Sequence, residues 1–125
     1  MPGQGGVIAV VDDDADIRRA FGRVLDAAGF EAVMFPSAET FLDSDARDRA
    51  ACLVLDVHLP GLSGFDLRRE LVRRDARYLP VIFVTGHDDP AARDQAEALG
   101  ASAYLPKPFA GQVLVAAVTR AVGGG

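Results

Sequence analysis

Four apolar runs each end in polar residues. Asp12, Asp13 and Asp14 follow Val7-Ile8-Ala9-Val10-Val11, and Asp56 follows Ala51-Cys52-Leu53-Val54-Leu55. Thr85 and Gly86 follow Val81-Ile82-Phe83-Val84. Lys107 follows Ala103-Tyr104-Leu105 and sits between Pro106 and Pro108. Carboxylates gathered in one crevice repel, so without a counter-ion at least one holds a raised pKa. A hard divalent cation such as Mg²⁺ relieves that repulsion. It takes oxygen ligands and commonly joins one or two carboxylates to a phosphate. A carboxylate can also attack phosphorus and become an aspartyl phosphate. Such a transfer needs positioning and charge neutralisation more than covalent help from the protein. A lysine supplies a point charge for one phosphoryl oxygen, and a hydroxyl such as that of Thr85 can donate to another.

Each group has an ordinary reading when taken alone. Asp14 reads as a helix N-cap, since a helical pattern follows it. Adjacent Asp12 and Asp13 cannot cap the same helix as well. Thr85 alone is a common strand-end residue, and Lys107 alone is a solvated charge. Weight comes from all of them arriving at one edge of the fold.

The elements that would bring them there are legible. The first three runs above, with weaker ones at Glu31-Ala32-Val33-Met34-Phe35 and Ala103-Tyr104-Leu105, suit strands covered on both faces. Ile17, Phe21, Val24, Leu25 and Ala28 recur at helical spacing, and Gly29 stops that helix. Ser37 caps a second helix, with Phe41 and Leu42 inward. Phe65, Leu67, Leu71 and Val72 mark a third, followed by Arg73-Arg74-Asp75. Asp88 or Asp89 caps a fourth, with Pro90 in its first turn and Gly100 at its end. A fifth runs from about Ala110 to Val122. Five strand-then-helix repeats predict an α/β fold, a doubly wound (βα)5 parallel sheet. Ligands of such sheets sit at the carboxyl ends of the strands. Pro106 cannot donate to a ladder, which suits an edge strand.

The chain has 125 residues, half of them apolar and a quarter charged. At roughly 100–200 residues per domain this is one globular domain. Thirteen basic and eighteen acidic residues leave a net charge of −5, a poor balance for gripping a phosphate backbone, so no direct nucleic-acid binding is expected. Lys107 is the only lysine and Cys52 the only cysteine. No apolar run approaches the ~18 residues of a membrane span. No secretory signal precedes the first strand. These features point to the cytoplasm.

The chain resembles the receiver domain of bacterial two-component response regulators. The likeness rests on Val10-Val11-Asp12-Asp13-Asp14, on Leu55-Asp56-Val57-His58-Leu59-Pro60 with Gly64, on Val84-Thr85-Gly86, and on Tyr104-Leu105-Pro106-Lys107-Pro108-Phe109. It covers residues 7–122, leaving 1–6 as a flexible leader and 123–125 as a glycine tail or linker remnant. Receivers of helix-turn-helix transcriptional regulators are the nearest kind. The resemblance implies a flavodoxin-like strand order, 2-1-3-4-5. It implies Asp56 as phosphoacceptor and Mg²⁺ held by Asp12, Asp13, Asp56 and the His58 carbonyl. Lys107 would pair with the phosphoryl group, Thr85 would swing toward it, and Gly86 would leave it room. Tyr104 would follow Thr85 inward, and the Lys107–Pro108 bond would be cis. The domain would be a signalling phosphoacceptor, catalysing only its own phosphorylation and dephosphorylation. Its donor would be a sensor histidine kinase or a histidine phosphotransfer domain, docking by the first helix, where Ile17 lies near the active edge and Arg18 and Arg19 are exposed. The surface of the fourth helix, fifth strand and fifth helix would change on phosphorylation and control an output. The fifth helix is apolar nearly all round, with Leu114 and Val118 toward the sheet and Val115 or Val122 toward a partner, which suits a phosphorylation-dependent homodimer.

His58 and His87, the only histidines, depart from the commonest pattern and are expected to influence how readily water attacks the phosphoryl group. The nearest rival is a Mg²⁺-dependent phosphohydrolase with an aspartyl-phosphate intermediate. It would want an acid where His58 stands, and a cap to hold substrate. A flavin carrier of the same fold would be repelled by the three aspartates after the first strand. A module that never takes phosphate would not need the whole set.

Overall fold

A computed structural model describes residues 6–74 and 79–123. The leader through residue 5, Asp75 and the last two glycines lie outside the described residues. In chain order the elements are β1 (Val7–Val11), α1 (Ala15–Ala27), β2 (Glu31–Phe35), α2 (Ala38–Leu42), α3 (Ala46–Arg49) and β3 (Ala50–Asp56). Then come α4 (Gly64–Arg74), β4 (Val81–Thr85), α5 (Pro90–Ala98), β5 (Ala103–Pro106) and α6 (Gly111–Gly123). The expected fourth and fifth helices are therefore α5 and α6. Gly123, read as the start of a tail, is the last residue of α6.

The five strands form one sheet in the order β2-β1-β3-β4-β5, every pair parallel. Side chains alternate across it, as strand geometry requires. Ala9, Val11, Leu53, Leu55, Val81 and Phe83 pack on one face with Phe41, Phe65 and Leu71. Ile8, Val10, Cys52, Val54, Ile82 and Val84 pack on the other with Leu25, Leu114 and Val118. Continuous apolar runs are what a sheet buried on both faces demands. β5, which carries Pro106, lies at an edge.

The caps follow the sequence closely. Asp14 accepts from the amides of Asp16 and Ile17, Ser37 from Thr40, and Asp89 rather than Asp88 from Ala92. Three expectations need correction. α3 is an added single turn, which buries only Ala46 and so leaves no periodicity to read. Val72 is 61% exposed rather than inward. The inward position on α4 goes to Arg68, which is buried and donates to the carbonyls of Leu79 and Leu99. A guanidinium that meets carbonyl oxygens can sit where an apolar side chain was expected. On α6, Leu114 and Val118 do face the sheet. Val122 also packs against that core, and Val113, 41% exposed, is the open apolar residue. No helix among the described residues is long and apolar enough to cross a membrane.

Candidate functional site

Sheet register sets the site. Val11 pairs with Leu55, so the residues just beyond, Asp12 and Asp56, leave neighbouring strands at one edge. Asp56 in turn pairs with Val84, one residue before Thr85, and Thr85 pairs with Pro106, one residue before Lys107. Backbone bonds extend the alignment past the strands. The Val57 amide donates to the Val84 carbonyl at 2.9 Å, and the Lys107 amide to the Thr85 carbonyl at 2.7 Å. The Lys107–Pro108 peptide bond is cis.

Asp12 and Asp56 are buried, whereas Asp13 is exposed. One oxygen from each lies within 4.8 Å of the others, and these three are the cluster among the described residues able to hold a metal ion. Lys107 Nζ stands 3.4 Å from Asp12 Oδ2 and 3.6 Å from Asp56 Oδ2. Burial first, and then the charge of Asp12, push the Asp56 carboxyl above the ordinary aspartate range. Lys107 and the His58 amide pull it back, and Asp13 adds a further upward push. Lys107 thus leaves some repulsion among the three carboxylates uncompensated. An all-oxygen set with surplus negative charge fits a hard cation of the Mg²⁺ type. Asp12, Asp13 and Asp56 would hold it.

Asp12, Asp56 and Thr85 are each fixed by their own loops. Asp12 Oδ1 accepts from the Asp14 amide at 2.9 Å, and Asp56 Oδ1 from the His58 amide at 3.1 Å. Thr85 is fully buried; its hydroxyl accepts from the His87 amide at 2.9 Å and donates to the His87 carbonyl at 3.2 Å. No atom lies within 4 Å of where a Cβ on Gly86 would stand. Tyr104 lies earlier on β5, with Arg93 4.7 Å above its ring. Its buried hydroxyl makes no hydrogen bond. Burial, then the nearby Asp88 charge, raise its pKa, and Asp88 is close enough to interact with the hydroxyl though outside strict hydrogen-bond geometry. His58 and His87 meet ring to ring, with centroids 5.4 Å apart and planes at 74°.

Two supports were not foreseen. Arg18, expected to be exposed, is half-buried and donates from Nη1 to the Asp12 carbonyl at 2.6 Å. Arg19 is exposed and pairs with Asp16. A cation in a helix's first turn opposes the helix dipole, and that mismatch was the signal for Arg18. Glu39 on α2 accepts from the Leu62 amide at 3.0 Å, across 23 residues. This bond lowers the Glu39 pKa. Nothing in the local sequence marks so distant a contact.

The family pattern described as response regulator receiver domain matches residues 8–119. The chain is similar to nodulation protein W of Bradyrhizobium diazoefficiens, 42% identical over 127 residues, covering 95% of this chain and 56% of that protein. It is similar to transcriptional regulatory protein FixJ of Azorhizobium caulinodans, 37% identical, covering 93% of this chain and 54% of that one. The crystal structure of a response regulator receiver protein from Burkholderia phymatum superimposes with a TM-score of 0.81 at 40% identity, over 94% of this chain and 95% of that chain. The chain spans a little over half the length of the two curated relatives.

Proposed function

The chain belongs to the response regulator receiver domain family, and on that premise we propose that it is a phosphorylation switch with Asp56 as the acceptor. The observation that carries this reading is the placement of Asp56 within 4.8 Å of Asp12 and Asp13 oxygens and 3.6 Å from Lys107. A carboxylate oxygen of Asp56 forms the new O–P bond while the P–N bond of a phosphohistidine breaks, the imidazole nitrogen keeping the electron pair. Mg²⁺, when bound at Asp12, Asp13, Asp56 and the His58 carbonyl, supplies positive charge for the phosphoryl oxygens. Lys107 supplies a second cation. Thr85 gives up its bonds to His87 and donates to a phosphoryl oxygen, with Gly86 leaving the approach open. Tyr104 follows into the vacated space. The surface of α5, β5 and α6 carries the signal, because Tyr104 and Arg93 both belong to it. Hydrolysis returns the switch to its start, and His58 and His87 influence how readily water arrives.

The donor in this reading is a sensor histidine kinase or a histidine phosphotransfer domain. An apolar groove of about 390 Å³, lined by Ile17, Phe21, Lys107, Pro108 and Phe109, adjoins the acceptor pocket and suits an apolar partner helix. We infer a cytoplasmic setting, and an output in transcription of the kind the name of FixJ states for that protein. With a net charge of −5, DNA contact falls to something other than this domain. The exposed Val113 on α6 suits a homodimer contact that phosphorylation strengthens.

Incubation with acetyl phosphate and Mg²⁺, read by intact mass, tests the acceptor. Wild type gains one phosphoryl group and Asp56→Asn gains none. Equal gain in both overturns the assignment.

A further inference from the structure

We propose that His58 and His87 together form a binding site for a transition-metal ion of the zinc class, and that this ion makes the switch zinc-sensitive. The two rings are exposed, and their centroids lie 5.4 Å apart. With metal–nitrogen bonds of about 2.0–2.1 Å and a tetrahedral angle, two imidazoles on one ion have centroids about 5 Å apart. The observed centroid separation of 5.4 Å is close to that of such a chelating pair. The backbones beneath them are already held in matching ways. The His58 amide donates to Asp56 and the His87 amide to Thr85, each the pocket residue two places earlier. The Val57–Val84 backbone bond keeps the two loops side by side.

Ligand chemistry separates this site from the acidic one. Imidazole suits zinc, copper and nickel, whereas a carboxylate and carbonyl set suits Mg²⁺. Surplus negative charge on Asp12, Asp13 and Asp56 draws any cation to this edge of the sheet. With two protein ligands and water completing the shell, the ion would be held reversibly. It would tie the loop after Asp56 to the loop after Thr85. Thr85 must release His87 to reach a phosphoryl oxygen, so the bound ion opposes the switch.

The test uses chelator-stripped protein in saturating Mg²⁺, which fills the acidic site, titrated with Zn²⁺ by calorimetry. Wild type is expected to bind one equivalent. His58→Gln and His87→Gln are each expected to weaken binding at least about tenfold, no less than the loss of a partner that merely orients a ligand. Both substitutions are at exposed side chains, and His58→Gln keeps the backbone carbonyl. In the second arm, acetyl phosphate labelling of each protein is compared with and without Zn²⁺. Slowing by Zn²⁺ in wild type that is lost in both variants supports the proposal. Equal Zn²⁺ binding by all three proteins, or binding that falls only as Mg²⁺ rises, overturns it. Binding without slowing overturns the regulatory half. The binding arm stands apart from the phosphorylation reading; the labelling arm rests on it, and wild type that takes no phosphate fails that reading alone.

Discussion

A Cβ on Gly64 would lie 2.3 Å from the carbonyl oxygen of Asp56. The first residue of α4 is therefore pressed against the backbone of the acceptor itself, and its amide donates to the Val57 carbonyl at 2.9 Å. Gly64→Ala must push the strand end and the helix start apart. The expected cost is about 1–3 kcal/mol, as for overpacking elsewhere in cores. Phosphoryl uptake from acetyl phosphate should fall more than stability alone explains, because Asp56 moves relative to Asp12. A variant with wild-type Tm and labelling rate would show that this contact relaxes without touching the site.

Lys107 Nζ is shared between Asp12 at 3.4 Å and Asp56 at 3.6 Å. It partly fills the place of a cation. Lys107→Met keeps the length of the stem and removes the charge. Metal-free protein should lose about 1–2 kcal/mol, between the values for exposed and buried ion pairs. Mg²⁺, no longer competing with the ammonium, should bind several-fold more tightly. Phosphorylation should nonetheless slow, since the phosphoryl group loses one of its cations. Calorimetric Mg²⁺ titration checks the first sign, and weaker Mg²⁺ binding would sink the argument.

The architecture was legible because the sheet is buried on both faces. Its strands are continuous apolar runs, and the polar residue ending each run marks the edge where function gathers. Asp12, Asp13, Asp56, Thr85 and Lys107 could be read together for that reason. Arg68 was not legible, because an arginine at a helical position looks solvated until its carbonyl partners from Leu79 and Leu99 are brought beside it. The His58–His87 contact was hidden in the same way. The two residues are far apart in sequence, and only the β3–β4 pairing makes them neighbours.

Glu39 acts as a tie between α2 and the loop that carries the His58 carbonyl. Its Oε2 accepts from Leu62 at 3.0 Å and would lie 2.5 Å from a Cβ on Gly61, whose φ of +76° already disfavours a side chain. Glu39→Ala frees the loop. Leu62 amide exchange should quicken, and Mg²⁺ should bind several-fold more weakly, while Glu39→Gln keeps an acceptor oxygen and much of both. The bond lowers the Glu39 pKa, so its contribution is present above the ordinary glutamate range and fades as pH falls through the lowered value. Unchanged Leu62 exchange in Glu39→Ala would show that the loop holds itself.

Asp56 carries the opposite sign. Burial and the charge of Asp12 raise its pKa in the folded protein. Protonated Asp56 is therefore favoured by folding, and that benefit is lost as pH rises through the raised value. In metal-free protein at neutral pH, the ionisable carboxyl of Asp56 therefore weakens the fold. Asp56→Asn removes the charge and keeps the shape. It should raise the neutral-pH Tm by a few degrees, the scale of a single-site change in a domain of this size. The advantage should shrink as pH falls toward about 4, the ordinary aspartate range, where wild type becomes protonated too. Saturating Mg²⁺ should also narrow the gap, because the cation stabilises wild type more than the variant. Tm measured across pH with and without Mg²⁺ checks all three trends. A gain that stays constant with pH would mean that the carboxylate charge is not what strains the pocket.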